Sequence, residues 1–412
     1  MTLNWIKRVT KLLIVLTIIA FSLSCTDKVF DFKNPDGSLN GPISSVVYTE
    51  PSSGENFLVV INSNYRLAYE NAWISTVHLG DETTTPIINK NSFFSMKNFS
   101  SQIEFDTKRN YFYVTNREED ALFVLSPSFD SSTNLLSLTG VDIDGEIAGT
   151  QSSVELSKNP FGIAILNNGA ISDRAYVTNI SSSDLAVLSL DTFKLIDVDP
   201  EDDDAESTIF LNIPVRSFVS QGLGAHKMVI DSSKKFGYVT SAFSHVIFVI
   251  DLEDNIIEGY IYLFEDDGTA LRSSTFTGSR GLALATNGIL YVANRRTNSI
   301  YLVDTTKVTD NGVAFDTIEN AVIATLPLSG NGPSDIALSP DEKFLYVANF
   351  TSNTVSVIDL TLQTIIREIE VGKGPTNISV GTKRLYVINF LSDSISVIDL
   401  ATNTIVMELK NE

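Results

Sequence analysis

The sequence predicts an all-β protein in which one four-stranded unit recurs seven times. Three observations carry that expectation. Seven short apolar-aromatic runs end in Asn or Ser: LVVIN (58–62), FYVTN (112–116), AYVTN (175–179), GYVTS (237–241), LYVAN (290–294), LYVAN (345–349) and LYVIN (385–389). Each is followed by an alternating partner run: ISTVHL (74–79), ALFVLS (121–126), DLAVLS (184–189), VIFVID (246–251), IYLVD (300–304), VSVIDL (355–360) and ISVIDL (395–400). In six units the closing Asp or Ser stands 13 residues after the tyrosine, in Tyr113/Ser126, Tyr176/Ser189, Tyr238/Asp251, Tyr291/Asp304, Tyr346/Asp359 and Tyr386/Asp399. The first unit departs from this, with Val59 in the tyrosine place and six extra residues before His78.

Two further strands complete each unit. An apolar run precedes the pair (SVVYT, IEF, FGIAIL, KMVI, GLALA, DIALS, NISV), often after a Gly/Pro turn such as Gly330-Asn331-Gly332-Pro333 or Gly372-Lys373-Gly374-Pro375. A fourth strand follows it, clearest in TIIREIEV (364–371) and TIVMELK (404–410). Short β-branched strands in fours, repeating every 40 to 63 residues, describe propeller blades. The expected fold is a seven-bladed β-propeller of four-stranded antiparallel blades over residues 43–412. A linear solenoid is the competing arrangement, and pairing of the last unit with the first separates the two.

The Tyr-Val-Thr-Asn and Tyr-Val-Ala-Asn strings, with the Ser-Val-Ile-Asp-Leu partner and the Gly-x-Gly-Pro lead-in, resemble the YVTN β-propeller repeat. The resemblance covers about residues 43–412 and is strongest from 330 onward. It implies the fold and an exported or surface location, and says little about activity, because propellers host unrelated functions.

Residues 1–24 read as a signal peptide: a basic start holding Lys7, Arg8 and Lys11, the apolar run 12–23, then Ser24. The apolar run is too short to span a bilayer comfortably. Cys25 is the sole cysteine, so no intrachain disulfide can form. Phe21-Ser22-Leu23-Ser24-Cys25 resembles a relaxed, spirochaete-type lipobox, with Ser22 and Leu23 where Leu and a small residue usually stand. The resemblance implies acylation of Cys25, with palmitate among the chains, and stable anchoring in the cell envelope, at an outer-membrane, periplasmic or surface face. Residues 25–42 read as the lipidated cysteine and its tether, with Val29-Phe30-Asp31-Phe32 suited to add to the last blade's outer edge.

Composition narrows the function. The chain has 412 residues, 43% of them hydrophobic, and a net charge of −21; without residues 1–24 the charge is (29−3)−50 = −24. Such a surface repels phosphate backbones, so nucleic acid is excluded as a partner. A monomer is expected. Only three histidines occur, His78, His226 and His245, none at a metal-ligand spacing. No nucleophile elbow, phosphate loop or Cys-x-x-Cys motif appears, so no catalytic residue, metal or cofactor is assigned. The acidic stretches 197–206 and 142–145 lack an EF-hand pattern and read as solvated loops. The repeated asparagines (Asn62, Asn116, Asn179, Asn294, Asn349, Asn389) suit bonds to the following loop. The repeated aspartates (Asp251, Asp304, Asp359, Asp399), with His78 in the same place, suit acceptance of backbone N–H bonds.

Aligning the blades places Ser101, Phe161, His226, Arg280, Ser334 and Thr376 at the start of the inner strands, and Gln102, Gly162, Lys227, Gly281, Asp335 and Asn377 one step inward. His226, Lys227, Arg280, Asp335 and Asn377 then converge on the mouth of the channel, where basic groups on an acidic protein would focus a small anionic ligand. Loops on that face add Arg117, Arg295, Arg296, Phe350 and Phe390, types that suit partner binding. The function expected is a binding or scaffold module, anchored through its lipid to a membrane, for a protein, glycan or small anion. One alternative is a lactonase-like propeller hydrolase, which calls for Arg, Glu and His together; the mouth so aligned holds no glutamate. The other is a structural or adhesive coat protein with no pocket.

Overall fold

A computed structural model describes residues 35–411 except 67–68, 70, 144–151, 169–171, 197–207, 211–223, 265–277 and 310–315. The signal segment, Cys25, Val29–Phe32 and the acidic stretch 197–206 lie outside the described residues.

The repeats fold into seven antiparallel sheets, each built in chain order from inner to outer strand. Blade 6 shows the plan: Pro333–Leu338, Phe344–Asn349, Thr354–Asp359 and Thr364–Glu370. The inner strands of blades 1 to 7 are Pro42–Thr49, Ser100–Asp106, Pro160–Leu166, Ala225–Ile230, Ser279–Leu284, Pro333–Leu338 and Pro375–Val380. Two blades carry an extra strand: Ser153–Glu155 lies beside the third strand of blade 2, and Asp316–Thr317 runs parallel to the outer strand of blade 4. Turns between second and third strands place Asp120, Ser183, Asn298, Asn353 and Asp393 in the left-handed region (φ 49 to 60°). Short polar side chains tolerate that geometry best, which keeps these loops short.

Each blade is apolar on both faces because each face packs on a neighbour. Seven hydrophobic clusters result, every one spanning two consecutive blades. The last of them joins Leu58, Val60 and Val77 of blade 1 to Tyr386, Ile388, Ile395 and Val397 of blade 7. The ring is therefore closed, and a linear solenoid is ruled out. Among the described residues, no blade at the closure borrows a strand from the other end of the chain.

Closure is locked instead by residues 38–41, which the sequence suggested as tether. Leu39 is buried in the cluster between blades 7 and 1, a burial that contributes about 1.5–3 kcal/mol. Its N–H donates to Asn411 Oδ1 at 2.8 Å, and Gly41 N–H donates to Asp393 Oδ1 at 2.7 Å. Trp73 Nε1 donates to the Ser38 carbonyl at 2.9 Å. The compact unit accordingly begins at Pro35, not at residue 43.

The repeat residues take structural roles. All six asparagines are fully buried. Asn116 Oδ1 accepts from the N–H groups of Glu118 and Glu119, and Asn294 Oδ1 from those of Arg296 and Thr297. Asp251, Asp359 and Asp399 accept backbone N–H bonds at the next turn. His78 differs from them: its Nε2 meets Glu55 Oε2 at 2.7 Å, and Asp81 serves the turn by accepting from Thr83 N–H. The cause is the irregular register of that hairpin, where Asn56 pairs Gly80 but Phe57 pairs His78.

The threonine of the repeat has a job of its own. Every inner strand is bulged near its start, which turns one N–H out of the ladder. In blades 2, 3 and 4 the hydroxyls of Thr115, Thr178 and Thr240 accept that N–H, from Gln102, Gly162 and Lys227. Thr115 and Thr178 also donate to the inner strand of the next blade, at the carbonyls of Phe161 and His226. Blades 6 and 7 have Ala348 and Ile388 in that place. There Ser334 and Thr376, on the inner strands, donate across to Pro375 and Ile43 instead.

Candidate ligand site at the channel mouth

The inner strands begin around the channel, and their second and third residues form its mouth. A cavity of about 200 Å³ lies there, walled by all five residues aligned from the sequence, His226, Lys227, Arg280, Asp335 and Asn377. Gln102, Arg295, Phe161, Phe350 and Ile43 complete much of the remaining wall. The side chains need room, and glycines supply it. A Cβ on Gly281 would stand 2.7 Å from the Ile336 nitrogen, and one on Gly162 2.4 Å from the His226 carbonyl oxygen. Only glycine allows the strands this approach.

Lys227 of blade 4 reaches past blade 5 to Asp335 of blade 6, Nζ to Oδ1 at 2.5 Å. The other carboxylate oxygen accepts from Asn377 Nδ2 at 2.9 Å and from Ile378 N–H at 3.1 Å. Asn377 Oδ1 in turn accepts from Ser45 N–H at 3.0 Å. Asp335 is thus saturated by protein donors, and Asn377 is committed to the closure between blades 7 and 1. Both hold the mouth in shape.

Two cations, Arg280 and Arg295, remain beyond the Lys227–Asp335 pair. Arg295 Nε donates to the Pro333 carbonyl at 3.1 Å, and its guanidinium lies over the Phe350 ring, 5.4 Å from the centroid. Burial, and then the charge of Arg295, pushes Arg280 down to about 9, so it stays protonated at neutral pH. His226 is only 5% exposed and packs on the Phe161 ring, with centroids 4.3 Å apart. Burial first, then Arg280, Lys227 and Arg295, drive its pKa well below 6.5, against a hydrogen bond to the Arg280 main chain. The imidazole is therefore neutral. Its Nδ1 has no hydrogen-bond partner among the described residues.

The loop residues divide. Arg295 and Phe350 enter the mouth itself. Arg117 lies in a separate shallow pocket with Lys158 and Asn159, and its guanidinium is bonded to Asn159. Arg296 is exposed over Phe264, while Phe390 stacks on Tyr65 with centroids 4.1 Å apart. They do not form one patch of free side chains.

Sequence alignment of the mouth missed Glu104. It lies two residues inward of Gln102, on the wall of a second chamber that Lys227 and Gln102 share with the mouth. The signal was present: at the position paired with the repeated tyrosine, the other blades carry Ala164, Val229, Ala283, Ala337 and Ser379.

Residues 213–412 match the family described as Lactonase, 7-bladed beta-propeller. Among solved structures, Kuenenia stuttgartiensis hydrazine synthase is similar at 15% identity and a TM-score of 0.59, covering 91% of this chain and 99% of that one. The periplasmic gluconolactonase of Pseudomonas aeruginosa is similar at 15% identity and a TM-score of 0.55, covering 85% and 88%. Virginiamycin B lyase of Staphylococcus aureus, in an inactive form with quinupristin, is similar at 11% identity and a TM-score of 0.52, covering 87% and 93%. No curated protein sequence matches the chain. The class is a seven-bladed β-propeller, whose residues 213–412 are similar to the lactonase propeller family; these structural likenesses show the fold alone.

Proposed function

We propose that the chain is a cell-envelope lipoprotein whose propeller binds a small anionic ligand at the channel mouth. One observation carries this reading. Lys227, Arg280 and Arg295 meet at one cavity in a chain of net charge −21, and Asp335, the single acid on that wall, is already saturated. Such a site attracts an anion locally while the rest of the surface repels it. Phe161, Phe350 and Ile43 would take an apolar part of the ligand. The lipid anchor rests on Cys25 and the segment before it.

A second reading is hydrolysis of a lactone or ester, favoured by the neutral His226. Its free Nδ1 would accept a proton from an attacking water while the guanidiniums stabilise the oxyanion. Thermal-shift titration of the full chain with gluconate, phosphate and gluconolactone tests both readings. Wild type is compared with Arg295→Gln and with an Arg280→Ala/His226→Ala pair. A shift with an anion that the variants lose supports binding; base uptake on lactone addition, lost in the pair, supports hydrolysis. No shift with any anion refutes the mouth as the site.

A further inference from the structure

Polar groups crowd the mouth, and most of them are spent on the protein itself. Asp335 is bonded by Lys227 and by Asn377. Ser334 Oγ donates to the Pro375 carbonyl at 2.7 Å, and Thr376 Oγ1 to the Ile43 carbonyl at 3.1 Å. Ser44, Ser101 and His226 are buried and present little polar surface to the cavity. Arg295 is the exception. Its Nε is fixed on the Pro333 carbonyl and its guanidinium lies over Phe350, while Nη1 and Nη2 make no hydrogen bond and no ion pair among the described residues. Burial lowers its pKa, with no carboxylate to raise it again. Gln102 adds one amide that also has no partner among the described residues. Around these two the wall is apolar: Phe161, Phe350 and Ile43 line the cavity and stay partly exposed. The cavity, about 200 Å³, has room for on the order of seven waters.

From this geometry we infer that the mouth selects a carboxylate with a compact apolar body, held by the open edge of the Arg295 guanidinium. The inference rests on the anion-binding reading above and names its ligand class. A planar carboxylate accepts two parallel N–H bonds from a guanidinium edge. A backbone bond and a ring already hold that edge in place, so little side-chain freedom is lost on binding. The body then lies against Phe161, Phe350 and Ile43 and displaces water from apolar surface. A polyhydroxylated acid meets the guanidinium equally well. Its hydroxyls, however, lose water beside these side chains, where the hydroxyls of Ser334 and Thr376 are already bonded. Phosphate has no apolar part to bury. Arg280, 8% exposed, contributes positive potential more than contact surface.

The test is calorimetric titration of the full chain at pH 7 and fixed ionic strength with four probes. Benzoate carries both parts, acetate lacks the body, benzyl alcohol lacks the charge, and gluconate replaces the apolar body with hydroxyls. Wild type is expected to bind benzoate saturably and at least about tenfold more tightly than each of the other three. Arg295→Gln is expected to weaken benzoate about tenfold, toward the level of benzyl alcohol. Should that variant fail to fold, Arg295→Lys replaces it; this keeps the charge, loses the two-point edge and is expected to weaken benzoate severalfold. Arg117→Gln, in the separate shallow pocket, is expected to leave benzoate affinity unchanged. Acetate or gluconate binding as tightly as benzoate, with loss in Arg295→Gln, overturns the inference and leaves the anion site standing. Benzoate binding that the Arg295 variants leave intact also overturns it, and no binding by any of the anions overturns both readings.

Discussion

Replacing Glu104 with glutamine removes one ionisable group from the channel and leaves its volume almost untouched. In the unfolded chain this carboxyl gives up its proton near 4.5; in the folded protein burial holds the proton until about 7. Between those values the unfolded state binds fewer protons than the folded one, so stability falls as pH rises through the window. Each tenfold change in proton affinity is worth about 1.4 kcal/mol, which puts the full penalty at about 3 kcal/mol above pH 7. Water in the chamber screens part of it, making that figure an upper bound. Buried His226 has the opposite sign: its pKa lies below 6.5, so its contribution is present above that pH and lost as pH falls. Wild type alone therefore shows a blurred profile, and the difference between proteins isolates Glu104. Urea unfolding from pH 4 to pH 8 should give equal stabilities at the acid end and a growing advantage for Glu104→Gln toward pH 8. A difference that is constant across this range would refute the placement of Glu104 as a half-buried acid without a counter-ion.

Two further predictions concern the ring itself. Thr178→Val deletes a hydroxyl that accepts from Gly162 N–H at 2.7 Å and donates to the His226 carbonyl at 2.7 Å, and leaves both groups buried. It should cost about 1–3 kcal/mol in urea unfolding, whereas Thr178→Ser should be nearly neutral. Tyr346→Phe should cost about 1 kcal/mol, because its hydroxyl donates to Asn403 of the next blade at 2.7 Å. Tyr113→Phe, whose hydroxyl is buried with no partner among the described residues, should be neutral or stabilising in the same assay.

The fold was legible because propeller blades repeat their demands. Six of the blades place a tyrosine between blades, six an asparagine bonding its loop, and all a strand apolar on both faces, so spacing alone exposes the plan. The lock at the closure was not legible. Ser38, Leu39 and Gly41 belong to no repeat, and their partners Asn411 and Asp393 lie more than 350 residues away in sequence. The role of the repeat threonine was hidden for a different reason. It answers a bulge, and a bulge leaves no mark in an apolar pattern. At the site, His226, Lys227, Arg280, Asp335 and Asn377 were placed together by register alone. Register could not show that Asp335 and Asn377 are consumed by protein contacts, nor that Arg295 and Phe350 turn into the mouth.

In a ring of equal blades, what the blades share holds the ring, and what they do not share is free for other work. The buried tyrosines and asparagines recur from blade to blade, packing between blades and, for the asparagines, bonding their loops. The layer one step inside the mouth shows no such agreement: Gln102, Gly162, Lys227, Gly281, Asp335 and Asn377 are five residue types in six blades. Packing does not ask for this variety, since glycine alone meets the steric demand in two of those blades. The same logic isolates Glu104, a lone charge among alanine, valine and serine at the place opposite the repeated tyrosine. A carboxylate there weakens the fold above pH 7 and makes no hydrogen bond among the described residues, so packing within the ring does not account for it.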